Sequence, residues 1–351
     1  MERRFNLKGY KNKRACLIDA DSSIPNLALM KISSFLKKKG WKVDLVKLNN
    51  SAYAHHKRDI FILDANDYDK VFISTLFTIN RDLVKIKNCS EVYRGGTGHD
   101  GFEPNKGLPD EVEHMFPDYE LYPDNEYSIG YITRGCIRKC KFCFIPKKEG
   151  ILRISGDLEE FYNSNLPKIM LLDNNFLALP EEKGIGILSE LKKTGKKVTF
   201  KQGLDFRLLT PKIAELLSEL NYDGEYIFAF DNPKDKPIIE RNLKLWRTFV
   251  KDWQTKFYVL VGFESTLKED LDRVLFLKKN KCLPYVMRHT NCYNSPFQPF
   301  YTDLASCCNQ PGLFKNMSFL EFIKKRHATE SRYLETIKII KGNNLKLFLT
   351  S

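Results

Sequence analysis

Between Ser128 and Arg288 the chain repeats one pattern: short apolar segments separated by stretches of helical periodicity. The apolar segments lie at 129–133, 168–172, 198–202, 225–230, 257–262 and 283–288. Helical candidates lie between them at 157–164, 182–194, 211–220, 236–251 and 267–279. Segments this short read as strands, and strands that alternate with helices pair in parallel, because each helix carries the chain back to the same end of the sheet. The pattern predicts a partial (β/α)6 TIM-type barrel over 128–290, with functional groups on the loops after the strands. A second open sheet fits the same spacing, and spacing alone does not choose between them.

The first hundred residues alternate in the same way. Arg14 to Asp19, Trp41 to Leu48 and Val71 to Ser74 read as strands, and Pro25 to Lys39 as a helix stopped by Gly40. Val92-Tyr93-Arg94 leads into the turn Gly95-Gly96-Thr97-Gly98. This predicts a doubly wound, Rossmann-like or flavodoxin-like α/β domain over 1–105. Residues 99–126 are rich in Gly, Pro and acids, with Pro104 among them, and read as a linker placed at 106–127. Residues 291–312 read as irregular, and 317–341 as one or two basic helices that close a C-terminal segment over 291–351. A length of 351 residues supports two domains, and 42% hydrophobic residues exclude a disordered chain. No run of eighteen apolar residues occurs, and Met1-Glu2-Arg3-Arg4-Phe5 has no apolar stretch behind it, so the expectation is a cytoplasmic protein with no membrane partner.

In a reducing compartment nine cysteines do not make a disulfide framework. They are unevenly placed, and Cys136, Cys140 and Cys143 fall within eight residues as CxxxCxxC. The loop between them is short enough to wrap one metal centre. Zinc ordinarily takes four ligands, often from CxxC pairs, so three thiolates fit it only if a distant ligand joins. A 4Fe-4S cluster held by three thiolates keeps one iron open for a small molecule.

The segment Tyr131-Ile132-Thr133-Arg134-Gly135-Cys136, continuing to Cys140 and Cys143 with Phe142 as the aromatic of CxxxCx(aromatic)C, resembles the radical S-adenosylmethionine (radical SAM) enzymes. Ile18-Asp19-Ala20-Asp21 and Pro25 to Ser33 are similar to the N-terminal domain of a cobalamin-binding-type subgroup. Leu172-Asp173-Asn174-Asn175-Phe176, Gln202 to Arg207 and Tyr258 to Phe263 are similar to later parts of the same subgroup, so the likeness covers about residues 14–310. The resemblance implies an enzyme whose 4Fe-4S cluster binds S-adenosylmethionine and cleaves it reductively. The resulting 5′-deoxyadenosyl radical abstracts hydrogen from substrate. It implies an external one-electron donor of flavodoxin or ferredoxin type, and cobalamin-dependent methyl transfer if cobalamin binds.

By the same resemblance, Phe142, Asp173, Asn174, Asn175, Gln202, Asp205, Arg207, Asp231 and Gly262 contact S-adenosylmethionine, Asp231 with Asn232 at the ribose and Gly262 at adenine. Asp and Asn at strand ends also cap helices and make turns, the plainer reading of each. Cobalamin domains of this type often carry DxHxxG; here the motif is absent, and none of His55, His56, His99, His114, His289 and His327 stands in that context. Only Cys16 and Cys89 lie in the N-terminal part, which excludes a second N-terminal cluster, and Cys282, Cys292, Cys307 and Cys308 lack a CxxC pair.

A net charge of +13 concentrates partly around the cysteine loop, at Arg134, Arg138, Lys139, Lys141, Lys147, Lys148 and Arg153. Lys324, Lys325 and Arg326 form a second group. A basic rim suits a small-molecule or anionic substrate, or simply forms a solvated face. A different class of function also fits: a non-catalytic nucleic-acid-binding protein with a structural metal, although no nucleic-acid-binding motif is present.

Overall fold

The computed structural model describes residues 13–48, 59–103, 107–327 and 330–343. The readings on Met1 to Phe5, His55, His56 and Pro104 fall outside them. The chain is mixed α/β with parallel sheets and divides into two compact units, Met1–Leu172 and Asp173–Ser351.

The first unit is built on strand β1 (Arg14–Asp19), helix α1 (Leu27–Lys38) and strands β2 (Lys42–Lys47), β3 (Phe61–Asp64), β4 (Lys70–Ser74), β5 (Val84–Lys87) and β6 (Val92–Gly95). β2, β1, β4 and β6 form one parallel sheet in that order, and β3 pairs with β5 in parallel. Alternation along β1 sends its side chains to opposite faces. Ala15 and Leu17 pack with Leu29, Phe35 and Leu36 of α1. Cys16 and Ile18 pack on the other side against Phe61, Leu63 and Ile86 of the β3–β5 pair. Among the described residues, then, a helix covers one face and a two-stranded ribbon the other. Asn26, rather than Pro25, starts α1, its side chain accepting from the Leu29 amide at 3.2 Å.

The Gly-Gly-Thr-Gly segment is not a plain turn but opens the one-turn helix α2 (Thr97–Asp100). A short α3 (Asp110–Glu113) follows, with Val112 fully buried in the α1-side core. Next come β7 (Tyr127–Gly130), β8 (Thr133–Arg134), α4 (Ile145–Lys148), β9 (Arg153–Ile154) and β10 (Lys168–Leu171), with β7 and β10 parallel. The helix expected at 157–164 does not form, apart from a single turn at Leu158–Glu160. Ser128 bonds both the amide and the carbonyl of Asn163, and the Phe161 ring sits where a side chain on Gly130 would stand. These tertiary contacts hold the segment as a plug.

The second unit carries α5 (Glu181–Lys193), β11 (Lys197–Phe200), α6 (Pro211–Glu219), β12 (Tyr226–Ala229), α7 (Lys236–Trp246), β13 (Thr255–Val261), α8 (Leu267–Lys279) and β14 (Leu283–Arg288). β12, β13 and β14 form a parallel sheet in sequence order. Phe206, Phe228 and Phe257 form an edge-to-face and tilted aromatic core with Trp246, whose indole N–H donates to Thr255 Oγ1 at 2.9 Å.

The stretch read as irregular is instead helical: α9 (Gln298–Cys308) and α10 (Pro311–Asn316), followed by α11 (Phe319–Arg326) and α12 (Glu330–Gly342). Phe300, Tyr301, Leu304, Cys307 and Cys308 give α9 one continuous buried stripe. Pro299 stands in the first turn, where a missing N–H costs nothing. No helix among the described residues is long and apolar enough to cross a membrane.

Candidate metal centre

The cysteine loop is closed at its base. β8 pairs antiparallel with β9, Thr133 opposite Ile154 and Arg134 opposite Arg153, so residues 135–152 leave and return at one point. Gly135 turns the chain with φ +82°, and a side-chain carbon there would overlap the Ile151 carbonyl. The approach puts the Cys136 amide 3.2 Å from the Gly150 carbonyl, to which it donates. Beyond it, the Arg138 amide donates to Cys136 Sγ at 3.3 Å, and the Cys143 amide donates to the Cys140 carbonyl at 3.0 Å.

All three cysteines are half-buried and none is in a disulfide. The donor chemistry suits an iron–sulfur cluster: three thiols stand on one closed loop, with a backbone N–H directed at one sulfur. Among the described residues no three Cys, His, Asp or Glu side chains are gathered at ligating spacing. Drawing three thiolates together sets like charges against one another, a cost that metal binding offsets.

The loop is held at both ends within the first unit. Before Gly135, the Arg134 guanidinium lies 4.5 Å from the Tyr131 ring centre and within 3.5 Å of Glu113 and 3.8 Å of Glu149. Glu113 is also bonded by Lys31 of α1. At the far end, Lys148 Nζ donates to Thr97 Oγ1 of α2 at 2.7 Å, and the Phe144 ring stacks on Phe102 at 4.5 Å. Burial lowers the Lys148 pKa. The basic cluster of the loop therefore splits. Arg134 and Lys148 turn inward to partners, with Glu113 opposing the charge besides Glu149, while Lys139, Lys141 and Lys147 stay exposed. Phe142 stands partly exposed, 37% accessible, and Ile137 and Ile151 of the same loop are also exposed.

The remaining candidates lie in the second unit. Asp173 and Asn175 are buried and Asn174 half-buried, at its first turn. Gln202 is exposed. Asp205 and Arg207 form a bidentate pair, 2.6 Å at Nε and 3.0 Å at the second oxygen. Arg207 also reaches Asp235 at 2.8 Å, a carboxylate the sequence did not single out. Asp231 joins this group electrostatically and accepts from the Leu260 amide at 2.9 Å. Burial pushes its carboxyl up to about 6, against the pull of Arg273 and Arg207. Asn232 caps the turn that follows, accepting from the Lys234 amide.

Gly262 has φ +73°, and its missing side chain makes room for Cys292 Sγ. Its amide donates to Asp270, which is fully buried and also receives Ser265, Tyr301 and Arg273. Arg273 collects the carbonyls of Phe230, Asp231 and Leu260. Asp270 and Arg273 were overlooked; their i,i+3 spacing on the apolar face of α8 was the available signal. A cavity of about 360 Å³ opens beside them, lined by Gly262, Ser265, Thr266, Cys292, Phe297 and Tyr301 among others. Comparison with known proteins returned no matching family model and no matching curated relative.

Proposed function

We propose that this chain is a radical SAM enzyme whose cluster is held by Cys136, Cys140 and Cys143. The observation that carries the reading is the closed CxxxCxxC loop, anchored at both ends, with the Arg138 amide on Cys136 Sγ. In this reading the first sheet belongs to a doubly wound domain, and the parallel strands from Tyr127 to Arg288 belong to a partial (β/α)6 barrel. When bound, the cluster and S-adenosylmethionine supply one-electron cleavage to a 5′-deoxyadenosyl radical for hydrogen abstraction.

The protein's own part is binding and orientation. The three thiols supply the ligands, and the ladder at β8–β9 fixes where they start. Phe142, partly exposed beside Cys143, presents an apolar face to a bound cofactor. Arg207, held between Asp205 and Asp235, and Asp231 supply fixed charge and hydrogen-bonding groups for a polar ligand. Lys139, Lys141 and Lys147 give the loop a positive face that suits an anionic substrate or an acidic electron-donor protein.

The test is anaerobic reconstitution with iron and sulfide, then reduction in the presence of S-adenosylmethionine. The expected products are 5′-deoxyadenosine and methionine, with both iron and product lost in Cys136→Ala. Absence of 5′-deoxyadenosine together with unchanged iron in Cys136→Ala refutes the proposal. Tightly bound zinc without labile iron would instead identify a structural metal, as in a nucleic-acid-binding protein.

A further inference from the structure

In an open parallel sheet, ligands enter outside the carboxyl ends of the strands, where the strand order reverses. In the first sheet the order β2-β1-β4-β6 places that point between β1 and β4. We infer that this edge is not a corrin site: the chain has filled it with its own polar groups and uses the adjoining edge as the seat of the cysteine loop.

Asp19 ends β1 and is fully buried; its oxygens accept from the Ser22 amide at 3.1 Å and the Tyr122 hydroxyl at 2.9 Å. Asp21, also buried, accepts from the amides of Leu76 and Phe77 and from Asn80 Nδ2, at 2.7–3.0 Å. Asn26 Nδ2 donates to Ser22 and to Ser74, which ends β4, at 3.0 and 2.8 Å. A corrin or its nucleotide tail entering here would strand several of these buried groups, each at the full cost of an unmade hydrogen bond.

The glycines after β6 leave no cradle either. A side-chain carbon on Gly96 would overlap the Thr75 backbone, and one on Gly98 the Phe77 backbone, so protein already occupies the space that a glycine normally yields to a ligand. What this packing presents instead is Thr97, bonded by Lys148, and Phe102, stacked on Phe144. Both contacts belong to the far end of the cysteine loop.

Neither half of the inference depends on the proposed activity, because both are read on protein without a cluster. For the first, the protein is purified from cells supplied with hydroxocobalamin and also titrated with hydroxocobalamin while corrin absorption is followed. No cobalt is expected to co-purify, and no spectral change to saturate; stoichiometric cobalt or saturable binding overturns this half. For the second, trypsin cleavage at Lys139 and Lys141 is timed by mass spectrometry in wild type, Lys148→Met, Thr97→Val and Phe102→Ala. Cleavage is expected to be about tenfold faster in each variant, the change in local opening that loss of one such contact brings.

Thr97→Val combined with Lys148→Met is expected to be no faster than either alone, since each removes the same bond. If Thr97→Val does not fold, Lys148→Met and Phe102→Ala alter half-buried and exposed side chains and carry the test. Wild-type cleavage in every folded variant overturns the seat, and additive effects of the pair overturn the direct Lys148–Thr97 contact.

Discussion

Gly135→Ala separates the two demands made on the residue before Cys136, the first of the three loop cysteines. The first is conformational: φ of +82° costs an L-residue about 1–2 kcal/mol. The second is spatial, because the new methyl would overlap the Ile151 carbonyl and separate the strands at the loop's base. Separation breaks the Cys136–Gly150 backbone bond, worth about 1 kcal/mol, and weakens the adjacent short ladder. Together these give about 2–4 kcal/mol of local destabilisation, or a factor of about thirty to a thousand in the opening equilibrium.

Gly150→Ala is the internal control. Its φ is +76°, yet nothing lies within 4 Å of the added carbon, so only the conformational cost applies. Hydrogen-exchange mass spectrometry of the peptide spanning 134–152 reads the opening, and iron bound per chain after reconstitution reads its consequence. Gly135→Ala is expected to exchange about five- to thirtyfold faster than Gly150→Ala, from the about 1–2 kcal/mol that the spatial cost adds to the shared conformational one, and to retain less iron. Equal exchange in the two variants would show that the approach of Gly135 to Ile151 does not hold the loop, and the anchoring argument would fail.

Three further outcomes follow from buried groups. Asp231 has its folded pKa raised by burial to about 6, so its favourable contribution is complete below its usual carboxylate range and lost as pH rises through 6. Asp231→Asn keeps an acceptor for the Leu260 amide, so it should stabilise by about 1–3 kcal/mol at pH about 8 and by little at pH about 4; an equal gain at both pH values in urea titrations would contradict this. Gly262→Ala should destabilise through overlap with Cys292 Sγ and through its positive φ, and Cys292→Ala should rescue the first part only, leaving about 1–2 kcal/mol by thermal denaturation. In metal-free protein at pH about 8, iodoacetamide should label Cys136, Cys140 and Cys143 before Cys16, Cys282, Cys292, Cys307 and Cys308, whose thiols burial pushes up, to about 12 at Cys16 and about 11 at Cys282. Early labelling of the second set on intact protein would show that it is not buried as described.

What could be read in advance follows from where the physical signal is local. α8 fills the helical candidate at 267–279, and its start is fixed by a capping box between Thr266 and Glu269. The six apolar segments after Ser128 all became strands, and in β7 and β10, buried along almost their whole length, the parallel strand leaves an uninterrupted apolar run. α9 was missed because its punctuation reads as loop: Pro296 and Pro311 flank it, Pro299 stands in its first turn, and its stripe is built from Tyr and Cys as well as Phe and Leu. β3 and β5 were missed for the opposite reason. They are short, half-exposed and partly charged, as in Val84-Lys85-Ile86-Lys87, and only their packing against Cys16 and Ile18 makes them strands.

The nine cysteines show where local reading stops being sufficient. Spacing separates Cys136, Cys140 and Cys143 from the rest, but does not show what the other six do. Packing supplies that: Cys16 fills the ribbon-side core of the first sheet, Cys282 lies 3.0 Å from the Arg247 guanidinium, and Cys292 occupies the space Gly262 leaves. Cys307 and Cys308 belong to the buried face of α9, and Cys89 Sγ lies within 3.7 Å of the carbonyls of Asp69 and Glu91. A thiol buried among apolar groups is held neutral, whereas a metal needs thiolate, so the desolvation that keeps five of these sulfurs protonated in the core works against ligation. The three loop cysteines are placed by a closed loop rather than by core packing, so the metal site proposed for them rests on the Gly135 turn and the Lys148 contact as much as on the sulfurs themselves.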